Sequence, residues 1–65
     1  METRFYLRSP IGDLMRFERN ERGNGMWVSH MSADGDGDAW ECFLMEEARH
    51  MWRALQSQGW ERWHR

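Results

Sequence analysis

Met45-Glu46-Glu47-Ala48-Arg49-His50-Met51-Trp52-Arg53-Ala54-Leu55-Gln56-Ser57-Gln58-Gly59-Trp60-Glu61 is the stretch on which the fold turns. Ala48, Met51, Trp52 and Leu55 stand at i, i+3, i+4 and i+7, an apolar stripe at helical period that Met45 extends backward. The spacing predicts a helix over about 45–58. Gly59 supplies the residue that takes a left-handed conformation after the last turn. Trp60 then occupies the position from which a Schellman cap packs an apolar side chain back on the helix, here on Leu55. No Ser, Thr, Asp or Asn precedes Glu46, so the start of the helix is weakly marked. A lone helix of this length is marginal in water, and its stripe must pack on the N-terminal half.

That half reads as strands. Thr3–Arg8 alternates, with Phe5 and Leu7 on one face and Arg4, Tyr6 and Arg8 on the other. Ser9-Pro10-Ile11-Gly12 matches the residue preferences of a type I turn. Leu14–Arg19 resumes strand character. Pairing Leu7 with Met15 and Phe5 with Phe17 places all four on one face, and a slip by one residue would set Phe5 against Arg16. The same register puts Arg4 opposite Glu18 and Tyr6 opposite Arg16 on the solvent side. Asn20–Gly25 is a polar loop ending in the turn signal Asn24-Gly25. Met26–Met31 is a third strand with apolar residues on both faces, so its orientation stays open. Ser32–Asp38 is an acidic loop. Residues 39–44 are either a short fourth strand, with Trp40, Cys42 and Leu44 on one side, or an extended lead into the helix. The expected architecture is α+β, one domain over 1–65: three or four antiparallel strands (about 3–8, 14–19, 26–31 and 39–44) packed on one C-terminal helix.

Length and composition narrow the function. A chain of 65 residues lies near the lower limit for a self-sufficient core. Five tryptophans exceed what so small a core encloses, so some should lie at the surface, where Trp favours interfaces. The single Cys42 excludes an internal disulfide and a Cys-based zinc cluster; it fits a reducing compartment, with burial as a small hydrophobe the ordinary outcome. Neither a signal-peptide pattern nor a membrane-length apolar run is seen, so a cytoplasmic protein without membrane association is expected. All nine basic residues are arginine, which a GC-rich coding sequence explains without a special partner. The middle of the chain is acidic and its end basic, in part because acids favour the first turn of a helix and bases the last. A net charge of −2 argues against a dedicated nucleic-acid binder.

Asp34-Gly35-Asp36-Gly37-Asp38 has the carboxylate spacing with which a calcium loop begins. Counted from Asp34, however, the sixth and twelfth places hold Ala39 and Met45 instead of Gly and Glu, and a solvated turn is the simpler reading. Glu47 and His50 have the Glu-x-x-His spacing of a metal pair, but the motif occurs once where di-iron sites need it twice. His30, Cys42 and His50 form no recognisable nucleophile motif, and the chain leaves little room for a substrate pocket. No catalytic residue, metal or cofactor is therefore assigned. Trp60-Glu61-Arg62-Trp63-His64-Arg65 mixes aromatics with arginine in the manner of single-strand nucleic-acid binders, although Trp60 already serves the cap.

Phe5-Tyr6-Leu7, Met15-Arg16-Phe17 and Glu47-Ala48-Arg49-His50-Met51-Trp52-Arg53-Ala54-Leu55 through Gly59-Trp60 together resemble a group of small uncharacterised proteins of marine picocyanobacteria. In these an aromatic-Leu strand, a Phe-x-Phe-like strand and a variable polar middle precede Glu-Ala-Arg-x-x-Trp-x-x-Leu-x-x-x-Gly-Trp. The helix-to-Gly-Trp segment is the specific part, and the Asp-Gly middle departs from the pattern. The resemblance implies a fold and a cyanobacterial or phage origin, and no activity.

The expectation for function is a small non-catalytic protein that binds a larger protein as regulator, inhibitor or accessory subunit. Self-association is compatible with this. The alternative is an RNA- or DNA-binding module using the Arg/Trp-rich C-terminus. The expected partner-binding residues are Trp63, Trp27, Trp40, Tyr6 and Arg16, away from the helix–sheet seam.

Overall fold

A computed structural model describes residues 3–64, so Met1, Glu2 and Arg65 lie outside the described residues. The elements run β1 (Arg4–Arg8), β2 (Leu14–Arg19), β3 (Gly25–Met31), β4 (Glu41–Leu44), α1 (Met45–Ser57) and β5 (Glu61–Trp63). They form one antiparallel five-stranded sheet in the order β4-β3-β2-β1-β5, with the helix on one face. The α+β class is as expected; the strand count is five, not three or four.

β1 and β2 pair in the register that the hydrophobic pattern requires: Arg4 with Glu18, Phe5 with Phe17, Tyr6 with Arg16, Leu7 with Met15. The turn between them closes with the Gly12 N–H donating to the Ser9 carbonyl at 3.0 Å, and Gly12 has a φ of +96°. Ser9 adds a side-chain bond, its Oγ accepting from the Asp13 N–H at 3.0 Å. The following loop turns earlier than Asn24-Gly25 suggests. Gly23 carries the positive φ and donates to the Asn20 carbonyl at 3.1 Å. Gly25 is instead a buried strand residue, where an added Cβ would lie 2.5 Å from the Phe43 carbonyl oxygen.

Pairing settles the orientation of β3. Met15 stands opposite His30, Phe17 opposite Val28 and Arg19 opposite Met26, so Met26, Val28 and His30 face the helix side. Trp27, Ser29 and Met31 face the other way. Residues 39–44 combine the two alternatives: the last four pair with β3 as a fourth strand, and Leu44 leads straight into the helix. The helix start is capped from within. The Leu44 N–H donates to Glu47 Oε1 at 3.1 Å, half of a capping box that needs no polar residue at the cap itself. Glu47, weighed above as a metal ligand beside His50, is thus occupied in holding the helix. Glu46 and Glu47 lie in the first turn as the dipole favours, whereas the last turn contains no base.

The helix ends as expected. Gly59 has a φ of +97°, its N–H donates to the Gln56 carbonyl at 3.1 Å, and the Trp60 N–H donates to the Leu55 carbonyl at 3.1 Å. These are the two bonds of a Schellman motif. The core consists of Leu7, Phe17 and Val28, with Ala48 buried on the helix; Phe5, Met15, Met26, Phe43, Met51, Trp52, Leu55 and Trp60 pack around it. Trp52 is its organising ring, edge-on to Phe17 at 5.1 Å and to Phe5 at 6.5 Å between centroids. Cys42 is exposed on β4, not buried. Among the described residues, no helix is long and apolar enough to cross a membrane.

β5 is the element that sequence reading missed, because three residues are too few to display a period. Gly59 turns the chain back so that Glu61–Trp63 lies along the free edge of β1. Tyr6 then pairs with Trp63, Leu7 with Arg62 and Arg8 with Glu61.

Candidate functional site: the open face of the sheet

Strand parity assigns the residues of the face without a helix. Arg4, Tyr6 and Arg8 come from β1, Leu14, Arg16 and Glu18 from β2, Trp27, Ser29 and Met31 from β3, and Glu61 and Trp63 from β5. Trp40 precedes β4 and lies over this face, its ring centroid 4.8 Å from the Arg16 guanidinium carbon and 5.9 Å from that of Arg4. All five residues expected to bind a partner therefore share one surface. Trp63, Tyr6 and Arg16 are half-buried, and Trp27 and Trp40 are 42% and 37% exposed.

The side chains of this face brace one another. Tyr6 and Trp63, neighbours across the β1–β5 pairing, stand edge to face at 5.5 Å and 83°. Such a pair contributes roughly 0.5–1.5 kcal/mol beyond the area it buries. Trp63 thus neither hangs free nor joins Trp60 in the core. Arg4 pairs with Glu18 at 2.9 Å. Tyr6, and after it Glu18, favour the charged form of Arg4 and raise its pKa above the ordinary arginine value.

Arg16 is held differently. One terminal nitrogen donates to Ser29 Oγ at 2.8 Å, and that hydroxyl donates onward to the Asp38 carbonyl at 2.7 Å. The chain ties the guanidinium to the acidic loop, whose exit carries Trp40. The Arg16 Nε–H is buried and has no acceptor among the described residues. A depression of about 190 Å³ is lined by Arg4, Tyr6, Leu14, Arg16, Met31 and Trp63. Of these, Arg4, Leu14 and Met31 were not singled out from the sequence. Arg4 was legible through its register partner Glu18, whereas Leu14 and Met31 look like ordinary strand residues until their common face is known.

The acidic loop is a structured turn. Gly35, at a φ of +96°, donates to the Ser32 carbonyl at 2.9 Å, and Ser32 donates to the Asp36 carbonyl at 2.7 Å. Asp13 anchors it from the β1–β2 turn: one carboxylate oxygen accepts from the Ala33 N–H at 2.9 Å, and the other lies 3.2 Å from His30 Nε2. The second ring nitrogen of His30 is 3.5 Å from Asp38. His30 therefore belongs to a loop anchor, far in role from the Cys–His pairing weighed above.

Compared with protein-family models, curated proteins and solved structures, the chain matches none.

Proposed function

We propose that this protein is a small non-catalytic binding module whose open sheet face docks on a larger protein as a regulator, inhibitor or accessory subunit. One observation carries the reading: Tyr6, Trp27, Trp40, Trp63 and Arg16 converge on a single face on which, among the described residues, no helix packs. Tyr, Trp and Arg are the residues enriched in protein interfaces and in their energetic centres. Rigid aromatics on a sheet lose little freedom on binding, which favours affinity per contact. The Tyr6–Trp63 pair, the Trp40–Arg16 contact and the Ser29–Asp38 link hold the surface in place before a partner arrives.

The nucleic-acid alternative draws support from arginines beside aromatics on an open sheet, a combination suited to stacking single-stranded bases. The C-terminal stretch serves it poorly, however. Arg62 pairs with Leu7 and so lies on the helix side, opposite Trp63, and Arg4 is already neutralised by Glu18. The acidic total of −2 weighs the same way.

The test is affinity capture from the native cell with wild-type and Trp63→Ala baits, at low and moderate salt. Docking through the open face predicts a protein retained by the wild type and weakened over ~10-fold by the substitution, with modest salt dependence. Recovery of nucleic acid that is shed steeply as salt rises would favour the alternative.

A further inference from the structure

Resting on the reading of the open face as a docking surface, we infer that its occupant is an acidic segment of the partner protein, with one carboxylate seated in the Arg4–Arg16 depression beside Tyr6 and Trp63. Arg16 carries the argument. A guanidinium remains charged at any physiological pH, and a half-buried charge is normally matched by a carboxylate. Among the described residues Arg16 pairs with none; its only hydrogen-bond acceptor is the neutral Ser29 hydroxyl. Its Nε–H, buried and without an acceptor, is an unmet donor in a structure where such groups are rare.

The planar fork of arginine presents parallel donors at the spacing of the two oxygens of a carboxylate. Arg16 borders the depression and is its uncompensated charge, while Arg4, already paired with Glu18, completes the rim. The Tyr6–Trp63 pair forms an apolar wall against which the stem of a glutamate or a neighbouring apolar residue can rest. Trp40 stacks over the face of the guanidinium at 4.8 Å, so a carboxylate bound at an edge of Arg16 changes the electrostatic field at the indole. Trp40 is therefore a magnetic reporter of what binds Arg16.

The experiment is a titration of the full chain with hexaglutamate, and in parallel with hexaglutamine and with hexathymidylate, followed by NMR of the arginine Nε–H and tryptophan indole N–H resonances. The expected result is a saturable shift of the Arg16 Nε–H and Trp40 indole signals with hexaglutamate in the millimolar range and none with hexaglutamine. Arg16→Lys, which keeps the charge but loses the fork, should weaken this at least tenfold with backbone amide shifts otherwise preserved. Arg53→Lys, on the helix, should leave it unchanged. The wild-type titration involves no variant, so misfolding cannot hide the answer. Three results would overturn the inference: no shift at Arg16, equal shifts at Arg49 and Arg53 of the helix, or saturation of the same signals by hexathymidylate at a tenfold lower concentration. If capture of a protein partner depends on Trp63 while hexaglutamate moves nothing, the docking face stands and its acidic occupant does not. If capture fails as well, the face itself is wrongly assigned.

Discussion

On the helix side of the sheet Leu7, Phe17 and Val28 are buried, and Trp52 lies edge-on to two phenylalanines; on the other side Tyr6, Trp27, Trp40 and Trp63 all keep contact with solvent. Both faces are rich in aromatics, yet they solve different problems. The covered face packs ring against ring and aliphatic against ring, where the gain comes from removing apolar area from water. The open face packs aromatics against arginines and against each other at the surface, where cation–π and edge-to-face contacts confer rigidity without full burial. The contrast shows how a chain of this size tolerates five tryptophans: Trp52 and Trp60 serve the core, and Trp27, Trp40 and Trp63 the free face.

If the faces differ in this way, substitutions should separate them. The largest effect belongs to Trp52→Ala, which removes the ring on which Phe5 and Phe17 lean and should cost roughly 3–5 kcal/mol. That is a large share of the stability such a small domain possesses. A cooperative urea transition with an unchanged midpoint would show that the helix-side core has been misread. Gly25→Ala should follow at about 1–3 kcal/mol, since the new methyl must displace the Phe43 carbonyl and loosen β4 from β3. Hydrogen exchange should locate that loss at residues 41–44, and uniform protection would argue against it.

Gly59→Ala tests the joint between the faces, because the Schellman turn both ends the helix and aims β5 at β1. The nearest atom to an added Cβ is Pro10 Cγ at 3.7 Å, so the cost comes from the positive φ alone, about 1 kcal/mol. Thermal melting is the measurement, and an unchanged transition would mean the turn is not held in the left-handed region. A modest stability effect is expected for Trp63→Ala, with roughly 0.5–1.5 kcal/mol from the lost pair with Tyr6, well short of Trp52→Ala. The same substitution should weaken partner binding over ~10-fold. A Trp63 change that lowers the melting transition as much as Trp52→Ala would erase the distinction between the two faces.

Much of this contrast was legible beforehand. Phe5, Leu7, Met15 and Phe17 declare a common face through their period of two, and only one register keeps them together, so the β1–β2 pairing follows from local pattern. Ala48, Met51, Trp52 and Leu55 do the same at a period of 3.6, and Gly59-Trp60 marks the end of the helix. The capping role of Glu47 was obscured because the cap residue is leucine. Met26–Met31 is apolar on both sides, and nothing within it says which side is covered.

The α+β class, the first hairpin and its register, the helix and its stop, and the excess of aromatics over core demand were all readable from the residues in order, because each is a local regularity of side-chain spacing, turn chemistry or composition. The rest came from contacts between segments. The third strand acquired its orientation from pairing Val28 with Phe17. Glu61–Trp63 became a strand because the edge of β1 was free to receive it. Trp40 and Trp63, from segments distant in sequence, joined Arg4 and Arg16 on the solvent face of the hairpin. Hydrogen bonding between strands is a property of two segments at once, and no period within either one records it.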